Sequence, residues 1–78
     1  MNKCIGIQYR NYTSKKTGKP VSGYNVFYTF EQKNMEGIAC DSLWCSEQIL
    51  EDSAIRVGDE FEALYNRYGR VESIRVSG

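Results

Sequence analysis

Basic and aromatic side chains occur together in two short parts of this sequence. The first part holds Arg10, Tyr12, Lys15, Lys16, Lys19, Tyr24 and Phe27. The second part is the run of Arg67, Tyr68, Gly69 and Arg70. Cations attract phosphates, and exposed rings stack on unpaired bases with a gain of ~1–3 kcal/mol for each base. This combination of side chains predicts contacts with single-stranded nucleic acid.

Tyr68 is the most informative of these residues. A bulky ring at the apex of a turn, between two arginines, has little core in which to be buried. We therefore expect its ring to stack on bases, although it could also pack over its own hairpin or against a second subunit. Two further alternatives stay open. Tyr24 and Tyr28 could be core or rim residues, and Lys15–Lys19 could be an ordinary solvated loop.

The residue types argue against catalysis and metal binding. The chain has three cysteines, Cys4, Cys40 and Cys45, and no histidine. A closed zinc site takes four Cys or His ligands, usually in close pairs, and a redox pair is usually spaced C-x-x-C. No serine or cysteine has an obvious activating base. We expect no metal, no cofactor and no enzyme, and we interpret the cysteines as small apolar core residues.

The ten basic and ten acidic residues cancel in number but are unevenly distributed. Residues 1–30 hold five cations and no acid, and residues 31–66 hold nine acids against two cations. After residue 66, Arg67, Arg70 and Arg75 stand against Glu72 alone. If the two basic ends meet in the fold, one face can attract phosphates. The alternative is a solvated surface of mixed sign.

A chain of 78 residues has room for one domain with a modest core. Pairing with a second copy would bury what one small subunit cannot, so we expect a homodimer. The sequence contains neither a long apolar run nor a signal-peptide pattern. We therefore predict no membrane partner and a cytoplasmic location, in the host if the chain is phage-encoded.

Alternation of side chains with a period of two predicts several strands. Residues 3–9 form the first, with Ile5, Ile7 and Tyr9 on one side. Residues 11–20 are polar and predict a loop or hairpin tip. Residues 21–31 form the clearest strand, with Tyr24, Val26, Tyr28 and Phe30 on one side and Asn25, Phe27 and Thr29 on the other.

The second half of the chain contains shorter elements. A turn at residues 33–37 precedes a short strand over 37–41, and segment 42–54 is ambiguous, with Ser46 as a plausible helix start. Strands follow at 61–65 and 71–76, separated by a tight turn, and the step from Val71 to Ile74 indicates a bulge. This pattern predicts an all-β fold over residues 1–78, a small five-stranded Greek-key barrel of the OB type with at most one short helix.

Two segments carry a resemblance to a known family. Residues 17–24, Thr17-Gly18-Lys19-Pro20-Val21-Ser22-Gly23-Tyr24, run into an aromatic strand and resemble the DNA-binding wing of gene V proteins. These are the single-stranded DNA-binding (helix-destabilising) proteins of filamentous phages. Residues 67–76 are similar to the family's last hairpin, whose aromatic-Gly tip stacks on DNA. The resemblance implies an OB-type barrel, a symmetric dimer, cooperative coating of single strands, and DNA contacts at Lys19, Tyr68, Lys15, Lys16 and Tyr24.

Our first hypothesis is therefore a phage or mobile-element protein that binds single-stranded DNA without sequence preference and serves DNA replication. The alternative is a small interaction or regulatory module whose acidic middle, residues 36–62, binds a basic protein. A third possibility is a structural subunit that assembles through its aromatic strand edge.

Overall fold

The computed structural model describes residues 2–77. Its elements are β1 (Asn2–Thr13), β2 (Pro20–Phe30), β3 (Ala39–Ser46), α1 (Glu47–Ser53), β4 (Glu60–Tyr65) and β5 (Val71–Ser77). The strands form one antiparallel sheet in the order β3-β2-β1-β4-β5. The prediction of five strands and a single short helix is confirmed. Within the described residues, no helix has the length and apolar character that crossing a membrane requires.

The sheet is strongly curled around its central strand. β1 pairs with β2 along most of its length, but with β4 only at Asn2 and Lys3. Strands β3 and β5 stand at opposite ends of the strand order, yet some of their Cα atoms lie within 8 Å of one another. The curl therefore brings parts of the two edge strands, β3 and β5, close together.

The core lies inside this curl and is built from alternating residues. Val26 and Phe61 are fully buried, and Tyr24 and Tyr28, which share one side of β2 with Val26, pack against the same cluster. Burying such a side chain stabilises the fold by about 1.5–3 kcal/mol each. The buried cluster contains Cys4, Val26, Leu43, Cys45, Ile55, Phe61 and Ile74.

Two β-bulges interrupt the alternation of side chains between the two faces of the sheet, and the sequence pattern predicts only the one in β5. In β5, Val71 pairs with Tyr65 and Ser73 with Leu64, so Glu72 is the additional residue and the predicted bulge is confirmed. In β1, the register passes from Cys4 to Gly6, which leaves Ile5 unpaired and 51% exposed. The prediction that Ile5 shares a face with Ile7 is wrong, because the bulge moves Cys4 and Ile7 to the core side.

Two strands are longer than the sequence pattern indicated. β1 continues to Thr13, because Asn11, Tyr12 and Thr13 pair with the start of β2 beyond the core, where no apolar alternation is needed. β3 continues to Ser46, which then begins α1 as expected. The Ser46 hydroxyl accepts a hydrogen bond from the Ile49 N–H at 3.3 Å, as an N-cap residue does.

Candidate nucleic-acid interface

The surface of β1, β2 and β3 that is turned away from the core is called the outer face here. Side chains alternate along each strand and paired residues share a face, so the register assigns every residue to one side. Gly23 pairs with both Arg10 and Ser46, and Trp44 pairs with Asn25. The outer face therefore combines a cation with several rings, and its main members are Arg10, Tyr12, Gly23, Phe27 and Trp44.

Trp44 and Tyr12 form an aromatic platform on this face. A Cβ atom on Gly23 would lie 2.6 Å from Cζ2 and 3.0 Å from Cη2 of Trp44, so the indole lies directly on the Gly23 backbone. The Tyr12 ring centroid lies 5.9 Å from that of Trp44, with the rings tilted by 59°. Trp44 is 37% exposed and Tyr12 50% exposed. Both rings thus offer surface on which a base can stack.

Phe27 lies on the same face, closer to the bulge in β1. It pairs with Gly6, and a Cβ atom there would lie 3.6 Å from Phe27 Cδ2, an ordinary contact. The Phe27 ring is partly exposed. Two glycines on the outer face thus lie beneath or beside large rings, which leaves those rings accessible instead of enclosed by neighbouring side chains.

The lysine loop, residues 14–19, joins β1 to β2. The Ser14 N–H donates to the Lys19 carbonyl at 2.9 Å and the Gly18 N–H to the Ser14 carbonyl at 2.8 Å, so the loop closes on itself. Gly18 adopts a φ of 69°, which favours glycine. Lys15, Lys16 and Lys19 are all exposed. A compact loop therefore displays three cations at the end of the hairpin.

The tyrosine turn, residues 66–70, joins β4 to β5. The Asn66 side-chain oxygen accepts hydrogen bonds from the N–H groups of Tyr68 and Arg70, at 2.9 and 3.1 Å. Tyr68 is 72% exposed. Arg67 Nη2 donates a hydrogen bond to the Tyr68 hydroxyl at 2.8 Å, and the guanidinium carbon of Arg67 lies 5.0 Å from the centroid of the Tyr68 ring. A cation and a solvent-exposed ring are therefore held together at the apex of the turn.

A groove of about 880 Å³ connects these elements. The lysine loop contributes Lys16, the outer face contributes Tyr12 and Trp44, and the tyrosine turn contributes Arg70. The groove follows β3, with residues 41–44 and Ser46 along its side. Cations that are far apart in sequence, Lys16 and Arg70, thus lie along the same groove as two stackable rings.

Of the predicted contact residues, Tyr12, Lys16 and Arg70 line this groove. Six others are exposed but do not line it: Arg10, Lys15, Lys19, Phe27, Arg67 and Tyr68. Tyr24 does not join them. Its ring packs against the core and lies edge-on to Tyr9 at 5.3 Å. For Tyr24, and likewise for Tyr28, the structure favours the core-packing alternative.

Trp44 is the groove residue that sequence reasoning missed. It lies in segment 42–54, which the sequence pattern leaves ambiguous. The signal that could have found it is the local alternation, because Leu43 and Cys45 are buried on either side of it. A strand over these residues requires Trp44 to point away from the core.

A polar cluster lies at the rim of the groove, where Asp41, Tyr28 and Tyr65 meet. The pKa of the Tyr28 hydroxyl lies above its ordinary value, first because burial disfavours the phenolate and then because Tyr65 and Asp41 are close by. The hydroxyl of Tyr28 therefore remains protonated near neutral pH and can donate a hydrogen bond.

The three cysteines are free thiols in two different environments. Cys4 and Cys45 are buried in the core, and burial raises the pKa of both thiols, which keeps them protonated and unreactive. The interpretation as core residues is confirmed for these two. It is wrong for Cys40, which is exposed because it faces outward on β3 opposite Thr29.

Comparison with protein-family models, with curated proteins and with solved structures gives no match for this chain.

Proposed function

We propose that this chain binds single-stranded DNA with little dependence on base sequence. The observation that carries the proposal is the groove, which holds Trp44 and Tyr12 between Lys16 and Arg70. Phosphates are drawn to the two cations, and neighbouring bases stack on the two rings. The exposed ring of Tyr68 extends this path at the tyrosine turn.

The topology supports an OB-type barrel as the framework for this function. β3 and β5 approach one another, β1 is central, and α1 lies between β3 and β4. In OB barrels, oligonucleotides bind to the face of the second and third strands and to the loops after the first and fourth strands. The corresponding parts of this chain are the outer face, the lysine loop and the tyrosine turn. The resemblance to gene V proteins points to the same surfaces.

The proposal is tested by titrating the protein with oligo-dT while following tryptophan fluorescence. Trp44 is the single tryptophan of the chain, so the signal reports on the platform alone. We expect quenching on binding, and an affinity that falls as salt rises, with a slope of about 0.7 in log K against log salt for each phosphate contact. Anisotropy of a labelled oligo-dT measures the same affinity independently of Trp44.

Absence of salt-dependent binding at about 20 mM salt, where screening is weak, would overturn the proposal. In that case a protein-interaction module becomes the better explanation. Its docking surface would lie on α1, whose Glu47, Glu51 and Asp52 lie outside the groove and would attract a basic partner.

The proposal includes self-association as a symmetric dimer. The buried cluster is small, while rings such as Tyr9 and Tyr65 remain half exposed. Sedimentation at tens of micromolar should report twice the chain mass. A monomer at that concentration would remove the dimer and weaken the gene V resemblance, without affecting the binding titration.

A further inference from the structure

Asp41 places a negative charge in a groove whose two cations would attract phosphates. It is the one carboxylate that lines the groove within the described part of the chain, and Lys16 and Arg70 line the same groove. A negative charge there offsets part of the attraction that the two cations exert on the DNA backbone. A group with this cost needs a compensating contact with some other part of the ligand.

Strand pairing and one hydrogen bond hold Asp41 in position. It pairs with Tyr28 across β2 and β3, so both side chains lie on the same side of the sheet. Its Oδ1 accepts a hydrogen bond from the Ser42 N–H at 2.7 Å, which orients the carboxylate.

The neighbouring phenols are also held in place. The Tyr28 ring lies edge-on to the fully buried Phe61, with centroids 5.6 Å apart, and its hydroxyl reaches the rim near Tyr65. Asp41 and the protonated Tyr28 hydroxyl therefore stand side by side on the core side of the sheet, and Trp44 and Tyr12 line the same groove from the outer face.

This arrangement matches some bases and opposes another. A carboxylate only accepts hydrogen bonds, and it pairs with the exocyclic amino group of cytosine or adenine. In both bases a ring nitrogen acceptor lies beside that amino group and can accept from a phenol. Thymine presents the O4 carbonyl at the same place, so it directs an acceptor at the carboxylate and repels it.

We propose that Asp41, together with the hydroxyls of Tyr28 and Tyr65, makes the groove prefer cytosine and adenine, whose exocyclic amino group lies beside a ring-nitrogen acceptor on the Watson–Crick edge, over thymine. The inference rests on the proposed function, because stacking and phosphate contacts supply the affinity on which the preference is superimposed. Such a preference favours some bases over others, but binding still depends little on the order of bases along the strand.

The test compares oligo-dC, oligo-dT and oligo-dU of equal length at one salt concentration and near-neutral pH. We expect oligo-dC to bind about tenfold more tightly than oligo-dT, the size of one good hydrogen-bonded base contact. Oligo-dU differs from oligo-dT only by the methyl group. It should bind as oligo-dT does, which excludes a contact with the methyl group as the cause.

The variant Asp41→Asn removes the charge and leaves the side-chain shape. It should tighten binding of oligo-dT and bring the ratio between oligo-dC and oligo-dT close to one. The matched control is Glu62→Gln, an exposed carboxylate on β4 that does not line the groove. It makes the same change in net charge and should alter both affinities equally, with the ratio unchanged.

The outcomes separate this inference from the proposed function. Salt-dependent binding with equal affinity for oligo-dC and oligo-dT overturns the base preference and leaves single-stranded DNA binding intact. A preference that persists in Asp41→Asn overturns the role of Asp41. Absence of binding to all three oligonucleotides overturns both proposals.

Discussion

Two aromatic pairs lie on opposite faces of the sheet formed by β1, β2 and β3. On the core side, Tyr9 and Tyr24 meet edge-on at 5.3 Å, and Tyr24 packs against the buried cluster. On the outer face, Tyr12 and Trp44 lie 5.9 Å apart, and Trp44 rests on the backbone of Gly23. Similar ring pairs therefore have different surroundings. In the first pair Tyr24 packs on the core and Tyr9 is half exposed, whereas both rings of the second pair are exposed.

A similar comparison can be made between two hollows within residues 2–77. The groove of about 880 Å³ joins Lys16 and Arg70 to the outer aromatic pair. A second hollow of about 520 Å³ lies where β2 passes into the loop before β3, and it is lined by Lys33 beside Glu31. This hollow sets one cation against one acid, whereas the groove sets Lys16 and Arg70 against Asp41 alone, so we expect the groove to attract phosphates more strongly.

The largest expected effect separates the two faces directly. Tyr24→Ala should lower the free energy of unfolding by about 2–4 kcal/mol, because it removes a ring packed on the core. Tyr12→Ala should cost less than about 1 kcal/mol of stability and instead weaken oligo-dT binding by about 1–3 kcal/mol. Urea unfolding and an oligo-dT titration of both variants measure these effects. Equal destabilisation by the two changes would contradict the distinction between the faces.

A second comparison tests how the Gly23 backbone supports the aromatic platform of Trp44 and Tyr12. Gly23→Ala should lower stability by about 2–3 kcal/mol, since its Cβ would lie 2.6 Å from both the Cys45 carbonyl oxygen and Trp44. Gly6→Ala is the control, because its nearest neighbour would be 3.6 Å away. There we expect unchanged stability or a gain of up to about 1 kcal/mol. Thermal melts that show similar behaviour for both variants would contradict the placement of the indole.

A third prediction concerns Tyr68, where binding and folding should separate most cleanly. Tyr68→Ala should weaken oligo-dT binding by about 1–3 kcal/mol and leave stability within about 0.5 kcal/mol, because the exposed ring supports little packing. Tyr68→Phe keeps the ring and loses only the exposed hydrogen bond from Arg67, so it should be nearly neutral. A variant Tyr68→Ala that melts several degrees lower with unchanged intrinsic affinity would assign the ring a packing role.

The smallest effect compares the two hollows through one lysine each. Lys16→Ala should reduce the slope of log K against log salt by about 0.7, because one phosphate contact is lost. Lys33→Ala makes the same charge change at the second hollow and should leave the slope unchanged. Titrations at several salt concentrations measure both slopes. Equal slopes in the two variants would mean that net charge, and not the groove, attracts the DNA.

Much of the fold could be predicted because its causes are local. The alternation in β2 follows from the two-residue period of a strand, and Ser46 begins α1 through its own hydroxyl. The bulge at Glu72 was visible as an irregular step between apolar residues. The bulge at Ile5 was not visible, because Cys4, Ile5 and Ile7 are all apolar and fit either face equally well.

The candidate site was predictable in its chemistry and not in its arrangement. The lysines, arginines and Tyr68 follow from residue type and turn position. The alternation of Leu43, Trp44 and Cys45 could have indicated that Trp44 faces outward, but not that its ring lies on Gly23 of the neighbouring strand. The role proposed for Asp41 likewise depends on its partner Tyr28 and on the groove beside it.

The sequence by itself determined which side chains can contact phosphates and bases, where most strands and turns occur, and which residues alternate together. These properties depend on residue type and on neighbours within a few positions. Only the tertiary structure decided which side of each strand faces the core, and therefore that Tyr24 is packed while Tyr12 and Trp44 are exposed. It also brought Lys16 and Arg70 to one groove. The physical reason is that register and curl are set by pairing between distant strands, which no local pattern contains.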